Sequence, residues 1–255
     1  MLSAMLSARG VSVSFGGVHA LVDVDLDVGP GELVGLIGPN GAGKTTFIDA
    51  ISGFVPCRGT VTLDGDDITD ASPTARARRG LTRTWQAVEL FDDLTIRENL
   101  TVAARHPSAF ETMKELLTRT RTAVPAVDDA LALFDLDALA DTTPSELTQG
   151  QRKLVAVARA LAARPKLLCL DEPAAGLDEQ ESVAFGRHLR EVVDRGTPAL
   201  LIDHDMGLVL SICDRVVVLE FGKVIATGTP DEVRGDPDVV RAYLGSVADD
   251  LGGVL

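Results

Sequence analysis

The chain of 255 residues contains few cysteines and few of the largest aromatic side chains. Cysteine occurs three times, and tryptophan and tyrosine occur once each. The number of cysteines is odd, and Cys57, Cys169 and Cys213 share no spacing typical of a metal site. We therefore expect neither a disulfide framework nor a zinc site, and we interpret these residues as buried thiols in a reducing compartment.

The chain has no excess of positive charge either. Its 38 acidic residues outnumber its 24 lysines and arginines, which gives a formal net charge of −14. Because a broad nucleic-acid interface needs a basic face, this charge argues against a nucleic-acid partner. It equally disfavours direct adsorption to anionic lipid. A role at a membrane would therefore require another protein as the point of attachment.

Long apolar segments are also missing. No run approaches the roughly 18 residues of a membrane-spanning helix, and the first ten residues lack the basic-then-apolar pattern of a secretory signal. With 45% hydrophobic residues, the composition is that of a globular protein. We expect a cytoplasmic protein with a sizeable core, built as one domain that carries an inserted subdomain.

One local cluster of positive charge comprises four arginines, Arg76, Arg78, Arg79 and Arg83. The cluster follows Ser72-Pro73, which is a start signal for a helix, and Gly80 is the stop signal of that helix. We interpret the cluster as the solvated face of a short helix.

Apolar periodicity predicts an α/β fold. Val22 to Val28 alternates apolar and polar residues, whereas Leu33 to Ile37 and Ala199 to Ile202 are continuous apolar runs that suit buried parallel strands. Further strands are predicted at Val11 to Val13, Gly59 to Leu63, Leu81 to Gln86, Leu167 to Leu170, Val216 to Leu219 and Val224 to Ala226. Helices are predicted at Thr45 to Ser52, at Glu179 to about Arg195, and through most of Thr95 to Ala163, with start signals at Thr95 and Asp128.

A glycine-rich segment carries the strongest chemical signal. It reads Gly38-Pro39-Asn40-Gly41-Ala42-Gly43-Lys44-Thr45 and fits the G-x-x-x-x-G-K-[ST] pattern of a phosphate-binding loop. Glycine lets the backbone turn tightly and point its N–H groups at anionic oxygens. Lys44 supplies a charge for the β- and γ-phosphates, the Thr45 hydroxyl can ligate Mg²⁺, and Thr46 is a further candidate ATP contact. An apolar strand precedes the loop and a helix follows it, so the segment predicts nucleotide binding.

A pair of carboxylates ends a second apolar strand. Asp171 and Glu172 follow Leu167 to Leu170. In a phosphate-loop enzyme the first acid can hold Mg²⁺ and the second can accept a proton from attacking water. Adjacent strand residues face opposite ways, so two separate roles are plausible at this strand end. The alternative is an acidic turn with solvated side chains.

The order of these elements resembles the ATP-binding subunit of an ATP-binding-cassette (ABC) transporter, across about Ala8 to Leu244. The resemblance implies a P-loop NTPase (RecA-like) core sheet with an N-terminal antiparallel β subdomain and an inserted α-helical subdomain. Phe15 matches the residue that stacks on adenine, Gln86 the glutamine that reaches metal and water, and His204 the histidine at the γ-phosphate. Leu147-Thr148-Gln149-Gly150-Gln151 matches the signature that binds the ATP of a partner subunit, and Asp178 the loop that crosses between subunits.

The resemblance also implies roles and boundaries. Glu172, His204 and Gln86 would be catalytic, Thr45, Gln86 and Asp171 would hold Mg²⁺, and ATP would be the nucleotide. A single domain over 1–255 would consist of a nucleotide lobe, 1–87 and 164–255, and a helical signature subdomain, 88–163.

Each of these matches has a purely structural alternative. Thr148 with Gln151, and Asp178 with Glu181, are capping boxes at helix starts, and both interpretations can hold together. Taken alone, Phe15 would be a core residue, and His204 a strand-end histidine bonded to backbone. The signature departs from Leu-Ser-Gly-Gly-Gln at Thr148 and at Gln149, and Phe15 replaces the commoner tyrosine. No departure removes a charge, so ATP hydrolysis is expected.

The resemblance implies partners as well. Two cassettes, of the same or a related chain, would pair head to tail around ATP, and transmembrane permease subunits would hold them at the inner face of the cell membrane. The segment 87–94, with Val88, Leu90 and Phe91 as apolar anchors, is the candidate docking surface, although a plain core loop is an equal alternative.

Several stretches look like the subunits of branched-chain amino-acid importers, among them Phe15-Gly16-Gly17, Ile202-Asp203-His204-Asp205-Met206 and Ala242-Tyr243-Leu244-Gly245. An ATPase of lipopolysaccharide export is the first alternative. A soluble cassette ATPase of DNA repair or translation is the alternative from another class, disfavoured by the single cassette and the acidic charge.

Overall fold

The computed structural model describes residues 4–85, 89–104 and 124–243. The chain divides into two compact units. The first combines Met1–Gln86 with Lys166–Leu255, and the second is Ala87–Pro165. The strand predicted at Leu81 to Gln86 is shorter in the structure, which ends it at Arg83 and leaves Thr84 and Trp85 outside any strand. The candidate residue Gln86 lies outside the described ranges.

A six-stranded sheet forms the centre of the first unit. Its strands are β3 (Leu33–Ile37), β6 (Leu81–Arg83), β7 (Leu167–Asp171), β8 (Ala199–Ile202), β9 (Arg215–Glu220) and β10 (Lys223–Gly228). The spatial order is β10-β9-β3-β8-β7-β6, with β10 antiparallel and the other five parallel. Every residue of β3, β7 and β8 is buried, because helices cover both faces of a parallel sheet. This explains why those strands are continuous apolar runs.

An antiparallel sheet forms the rest of the strand structure in this unit. It consists of β1 (Leu6–Phe15), β2 (Val18–Val28), β4 (Arg58–Leu63) and β5 (Asp66–Asp67), in the order β2-β1-β4-β5. Val24, Leu26 and Val28 alternate with polar residues and are buried. One hydrophobic core contains side chains of both sheets and of the helix after β3, including Val24, Val61, Phe47 and Leu200.

The first unit also contains helices. They are α1 (Lys44–Ser52), α2 (Pro73–Arg78), α6 (Glu179–Asp194), α7 (Met206–Ile212) and α8 (Pro230–Gly235). Residues 237–243 are also helical. The second unit contains α3 (Ile96–Ala104), α4 (Pro125–Leu133) and α5 (Gln149–Ala162), with short 3-10 turns at Asp137–Leu139 and Pro144–Glu146.

The prediction that Asp128 starts a helix was wrong. α4 begins at Pro125, and Asp128 lies in its first turn. Proline suits the first position of a helix because its missing N–H would have no partner there. The predicted start at Thr95 is confirmed, since the Glu98 N–H donates to the Thr95 hydroxyl over 3.2 Å and the Thr95 N–H donates to Glu98 over 3.0 Å.

The interpretation of the four arginines as one solvated helix face was wrong for two of them. Arg76 lies on α2 but is buried. It donates to the carbonyl oxygens of Ala50, Ile51, Thr69 and Ala71. Arg83 is not on a helix, and its side chain is only 5% exposed on β6. A buried guanidinium is stable when hydrogen-bond acceptors surround it, and local sequence does not show which distant acceptors will do so.

Two further findings concern the cysteines and the membrane. All three cysteines are free thiols, and the interpretation as buried thiols is confirmed for Cys169 and Cys213 but wrong for Cys57, which is partly exposed. Burial raises the pKa of the Cys169 and Cys213 thiols to about 12.

Among the described residues, no helix has both the length and the apolar character needed to cross a bilayer.

Candidate functional site

The glycine-rich segment forms the turn between β3 and α1. Gly38, Gly41 and Gly43 have positive φ angles of 150°, 79° and 104°. A Cβ on Gly38 would lie 2.1 Å from the Leu219 carbonyl oxygen, so that position requires glycine. A Cβ on Gly41 would meet nothing within 4 Å, which leaves open space at the centre of the loop. The loop therefore has the backbone shape of an anion cradle.

Lys44 is held inside this loop. Its ammonium donates to the Gly38 carbonyl oxygen over 2.6 Å and to the Pro39 carbonyl oxygen over 3.1 Å. Burial lowers the pKa of Lys44, while the negative charges of Glu172 and Asp171 partly offset this by favouring the charged form. This electrostatic effect shows that the lysine of the loop lies in the same site as the two acids at the end of β7.

The start of α1 offers free backbone donors. Gly43 is the N-cap, and it has no side chain that could accept a hydrogen bond from the first turn. Thr45 is exposed and Thr46 is partly exposed at this end of the helix. An uncapped helix N-terminus next to a lysine is a favourable location for phosphate oxygens.

The two acids take different positions, as their places at the strand end predict. Asp171 is the last residue of β7, and its Oδ2 accepts a 2.8 Å hydrogen bond from Arg83. Glu172 has a φ of 47°, an uncommon conformation for a residue of this size, and lies outside the strand. Its Oε2 is 3.5 Å from Nδ1 of His204. The site thus contains one buried carboxylate and a second carboxylate next to an imidazole.

His204 follows β8 and is 59% exposed. Its neighbour Asp203 is buried, with Oδ1 accepting from the Asp205 N–H over 3.0 Å and Oδ2 from the Ala174 N–H over 3.3 Å. Asp203 therefore joins the loop after β7 to the loop after β8, which carry Glu172 and His204. Sequence analysis missed this role, although an acid at the end of the apolar run Leu200 to Ile202 was a usable signal.

The aromatic residue proposed for adenine is accessible. Phe15 ends β1, pairs with Val18 across the turn, and is 54% exposed. This exposure rules out the core alternative for Phe15. An exposed aromatic face can stack on a nucleotide base.

The signature segment lies in the second unit. The Thr148 hydroxyl accepts from the Gln151 N–H over 3.2 Å, and the Gln151 side chain accepts from the Thr148 N–H over 2.9 Å. This capping box lies at the start of α5, whose first two residues are Gln149 and Gly150. Leu147, which precedes the box, is buried. In the first unit, Asp178 caps α6 in the same way. Both capping interpretations are confirmed.

The residues present also fit a Mg²⁺ ion. Magnesium binds oxygen ligands and is usually held by one or two carboxylates together with substrate phosphates. The Asp171 carboxylate and the Thr45 hydroxyl supply oxygen donors of this kind. The described residues contain no cluster of three or more His, Cys, Asp or Glu side chains that could hold a metal without such phosphates.

Comparison with known proteins agrees with this geometry. The profile of the ABC transporter family matches residues 21–175, and that of the branched-chain amino acid ATP-binding cassette transporters matches residues 223–249. The chain is 38% identical to the high-affinity branched-chain amino acid transport ATP-binding protein LivG of Escherichia coli, over 96% of this chain and 99% of LivG. It is 36% identical to the lipopolysaccharide export system ATP-binding protein LptB of the same species, over 95% of this chain and 98% of LptB.

A solved structure is similar as well. The ADP conformation of MJ1267, an ATP-binding cassette of an ABC transporter, has a TM-score of 0.82 and 30% identity, covering 95% of this chain and 99% of that one. The RecA-like α/β fold that the resemblance implied is thereby confirmed. The chain belongs to the ATP-binding subunits of ABC transporters, and it is an ATP hydrolase.

Proposed function

We propose that the chain powers the uptake of branched-chain amino acids or similar small polar solutes. The observation that carries the proposal is the match of residues 223–249 to the branched-chain amino acid cassette profile. Relatives named for this transport support it, among them BraF of Pseudomonas aeruginosa, 39% identical over 94% of this chain and 98% of BraF. The LptB relatives support a second candidate, the ATPase of a lipopolysaccharide export system.

The chemistry of the proposal follows from the loop and the two acids. Lys44 and the backbone of residues 38–46 bind the phosphates, and Phe15 stacks on adenine. Asp171 and Thr45 would hold Mg²⁺, which would neutralise charge on the phosphates. Glu172 accepts a proton from the attacking water, and His204 orients this carboxylate and contacts the γ-phosphate. Gln86 is a further proposed ligand of metal and water, and it lies outside the described residues.

Two copies, or this chain and a related cassette, complete the proposed sites. The signature, residues 147–151, binds the ATP held by the opposite cassette, and Asp178 lies in the loop that crosses between them. The helix start after Thr148 supports this, because the backbone N–H groups of a helix N-terminus attract anions. Both units together form one ATPase domain, with the lobes at 1–87 and 164–255 and the signature subdomain at 88–163. Hydrolysis of ATP releases the contact between the cassettes.

The proposal places the chain on the inner face of the cell membrane, bound to transmembrane permease subunits. Residues 89–94 support it as part of the docking surface, because side-chain hydrogen bonds hold their backbone while an aromatic ring is exposed. Asn99 is buried and exchanges hydrogen bonds with the backbone of Phe91, over 2.8 Å and 3.1 Å, and also donates to the Leu94 carbonyl. The Phe91 side chain is 51% exposed. The companion anchor Val88 lies outside the described residues.

An uptake assay tests this function. In cells that lack the gene, the initial rate of uptake of labelled leucine, isoleucine and valine should fall, and the wild-type gene should restore it. The Lys44→Ala variant should not restore uptake because it loses its contact with the phosphates. A labelled amino acid of another class, such as histidine, is the control for general loss of membrane energy.

Two results would contradict the proposed substrate. Unchanged uptake of all three amino acids in the deletion strain would exclude the importer, provided that no second system masks it. A defect in lipopolysaccharide transport in the same strain would favour the second candidate.

A further inference from the structure

Arg83 occupies an unusual position between two elements of the site. Its Nη1 donates to Oδ1 of Asp49 over 2.5 Å, and its Nη2 donates to Oδ2 of Asp171 over 2.8 Å. Asp49 belongs to α1, the helix that follows the phosphate loop, whereas Asp171 ends β7. One guanidinium therefore connects the helix that carries Thr45 to the strand that carries Asp171.

The side chain of Arg83 has little freedom to move. It is 5% exposed, and the side chain of Asp171 is 8% exposed. The guanidinium carbon lies 4.1 Å from the ring centroid of Trp85, and Phe54 packs edge-on against that ring at 5.0 Å. A planar guanidinium that stacks on an aromatic ring and binds two carboxylates has a fixed orientation. The orientation of the Asp171 carboxylate is fixed with it.

The hydrogen-bond partners of Arg83 differ in kind from those of Arg76. The other buried arginine, Arg76, donates to four backbone carbonyl oxygens and so stabilises the fold directly. Arg83 instead donates to two side chains, and its buried Nε has no hydrogen-bond partner among the described residues. Its hydrogen bonds are thus directed to the acids and not to the backbone.

We propose that Arg83 is a positioning residue that fixes the carboxylate of Asp171 for the metal that accompanies ATP. Because Arg83 binds Oδ2 of Asp171, Oδ1 remains available for the cation. The contact between Arg83 and Asp49 also fixes the position of Oδ1 relative to α1. The inference rests on the proposed role of Asp171 as a ligand of Mg²⁺. It assigns to Arg83 a function that the sequence, which presented it as part of a solvated cluster, did not suggest.

The test separates metal binding from nucleotide binding. The affinity for the non-hydrolysable analogue AMP-PNP is measured by calorimetry in Mn²⁺ and in EDTA. The ratio of these two affinities is the metal gain, the factor by which the metal strengthens binding of the analogue. In Arg83→Lys the charge remains, but an ammonium cannot bridge two carboxylates in one plane. We expect the gain to fall about tenfold, the usual effect of losing a group that orients a metal ligand, with the affinity in EDTA unchanged within twofold.

Two further variants complete the experiment. Asp49→Asn keeps Arg83 and Asp171 but weakens their attachment to α1, so we expect a smaller loss of metal gain than in Arg83→Lys. If Arg83→Lys does not fold, Asp49→Asn replaces it as the test. Arg76→Lys is the matched control, because it alters a buried arginine that contacts neither acid, and its metal gain should equal that of the wild type. Emission from Trp85, the single tryptophan, should change in Arg83→Lys and not in Arg76→Lys.

Each outcome decides between the alternatives. An unchanged metal gain in both Arg83→Lys and Asp49→Asn would overturn the inference. A parallel loss of affinity in EDTA would overturn it too, because Arg83 would then support the phosphate loop as a whole. If the wild type gains no affinity from Mn²⁺, the metal site itself is refuted, and this result is visible before any variant is made.

Discussion

At the scale of single residues, the arrangement of Glu172 carries the proposed chemistry. Glu172 lies close to His204 and contributes to the electrostatic environment of Lys44. Its positive φ separates it from Asp171, which remains in the strand. Two adjacent carboxylates can therefore serve a metal and a water without competing for one position.

Glu172→Gln should reduce ATP hydrolysis at least a hundredfold, because an amide cannot accept the proton of the attacking water and general bases contribute about 10² or more. Phosphate release measures the rate. In the presence of ATP the variant should also accumulate as a dimer, which light scattering after size exclusion detects. Glu179→Gln is the control, as it removes the same charge from an exposed position on α6. Normal turnover by Glu172→Gln would show that the base is misassigned.

Gly222 provides a test of the backbone around the phosphate loop. It has a φ of 76°, its N–H donates to the Ala42 carbonyl oxygen over 2.9 Å, and a Cβ would lie 2.5 Å from the Ala20 carbonyl oxygen. We expect Gly222→Ala to cost about 3 kcal/mol of unfolding free energy, from backbone strain and the clash together, and to weaken ATP binding.

Gly65→Ala separates these two effects. Gly65 has a similar φ of 82°, but a Cβ there would meet nothing within 4 Å. It should therefore cost only the strain of a positive φ, about 1 kcal/mol. Urea unfolding compares the two variants, and equal losses would contradict the predicted clash at Gly222.

At the scale of secondary-structure elements, local patterns predicted most of the parallel sheet. The predicted bounds of β3 and β8 are those observed, since strands buried on both faces show their limits as apolar runs. The two-residue β5 and the seven-residue α7 are too short for a periodic signal, and both were missed. β6 ends at Arg83.

The same limit applies to the site. The phosphate loop and the acids of β7 were predictable because their residues are contiguous. Arg83 was not, because Asp49 and Asp171, which stabilise its charge in the interior, are distant in sequence. Asp203 was overlooked for a similar reason, since its partner Ala174 lies on another loop. Burial of charge depends on tertiary partners, which no local window contains.

The cap of α5 gives a test of the signature. Thr148→Ala should cost about 1 kcal/mol of unfolding free energy through loss of the N-cap, and should also lower the maximal ATPase rate if this helix end binds the ATP of a second cassette. Thr229→Ala removes the equivalent cap from α8 and should cost a similar amount with the rate unchanged. Equal rates in the two variants would contradict the role of the signature, and Thr148→Ser should retain both properties.

At the scale of the whole molecule, the net charge of −14 determines how the protein meets a membrane. In flotation experiments with vesicles rich in phosphatidylglycerol, the isolated chain should remain in the unbound fraction at about 0.1 M salt, because like charges repel. Binding to such vesicles without a permease would contradict attachment through a partner protein.

The chain is the ATP-binding subunit of an ABC transporter, and we propose that it works on a permease. Similarity alone does not identify the substrate, since LivG and LptB are similarly related to this chain at 38% and 36% identity. The fold and the ATP site therefore support the energy-supplying role equally for either transport direction.

The most direct test is to purify the tagged protein from gently solubilised native membranes and to identify its stoichiometric partners by mass spectrometry. We expect a multi-span permease of the amino-acid type together with a second cassette subunit, of the same or a related sequence. Recovery of lipid-export components would contradict the proposed substrate, and recovery of soluble nucleic-acid machinery alone would contradict the transport function itself.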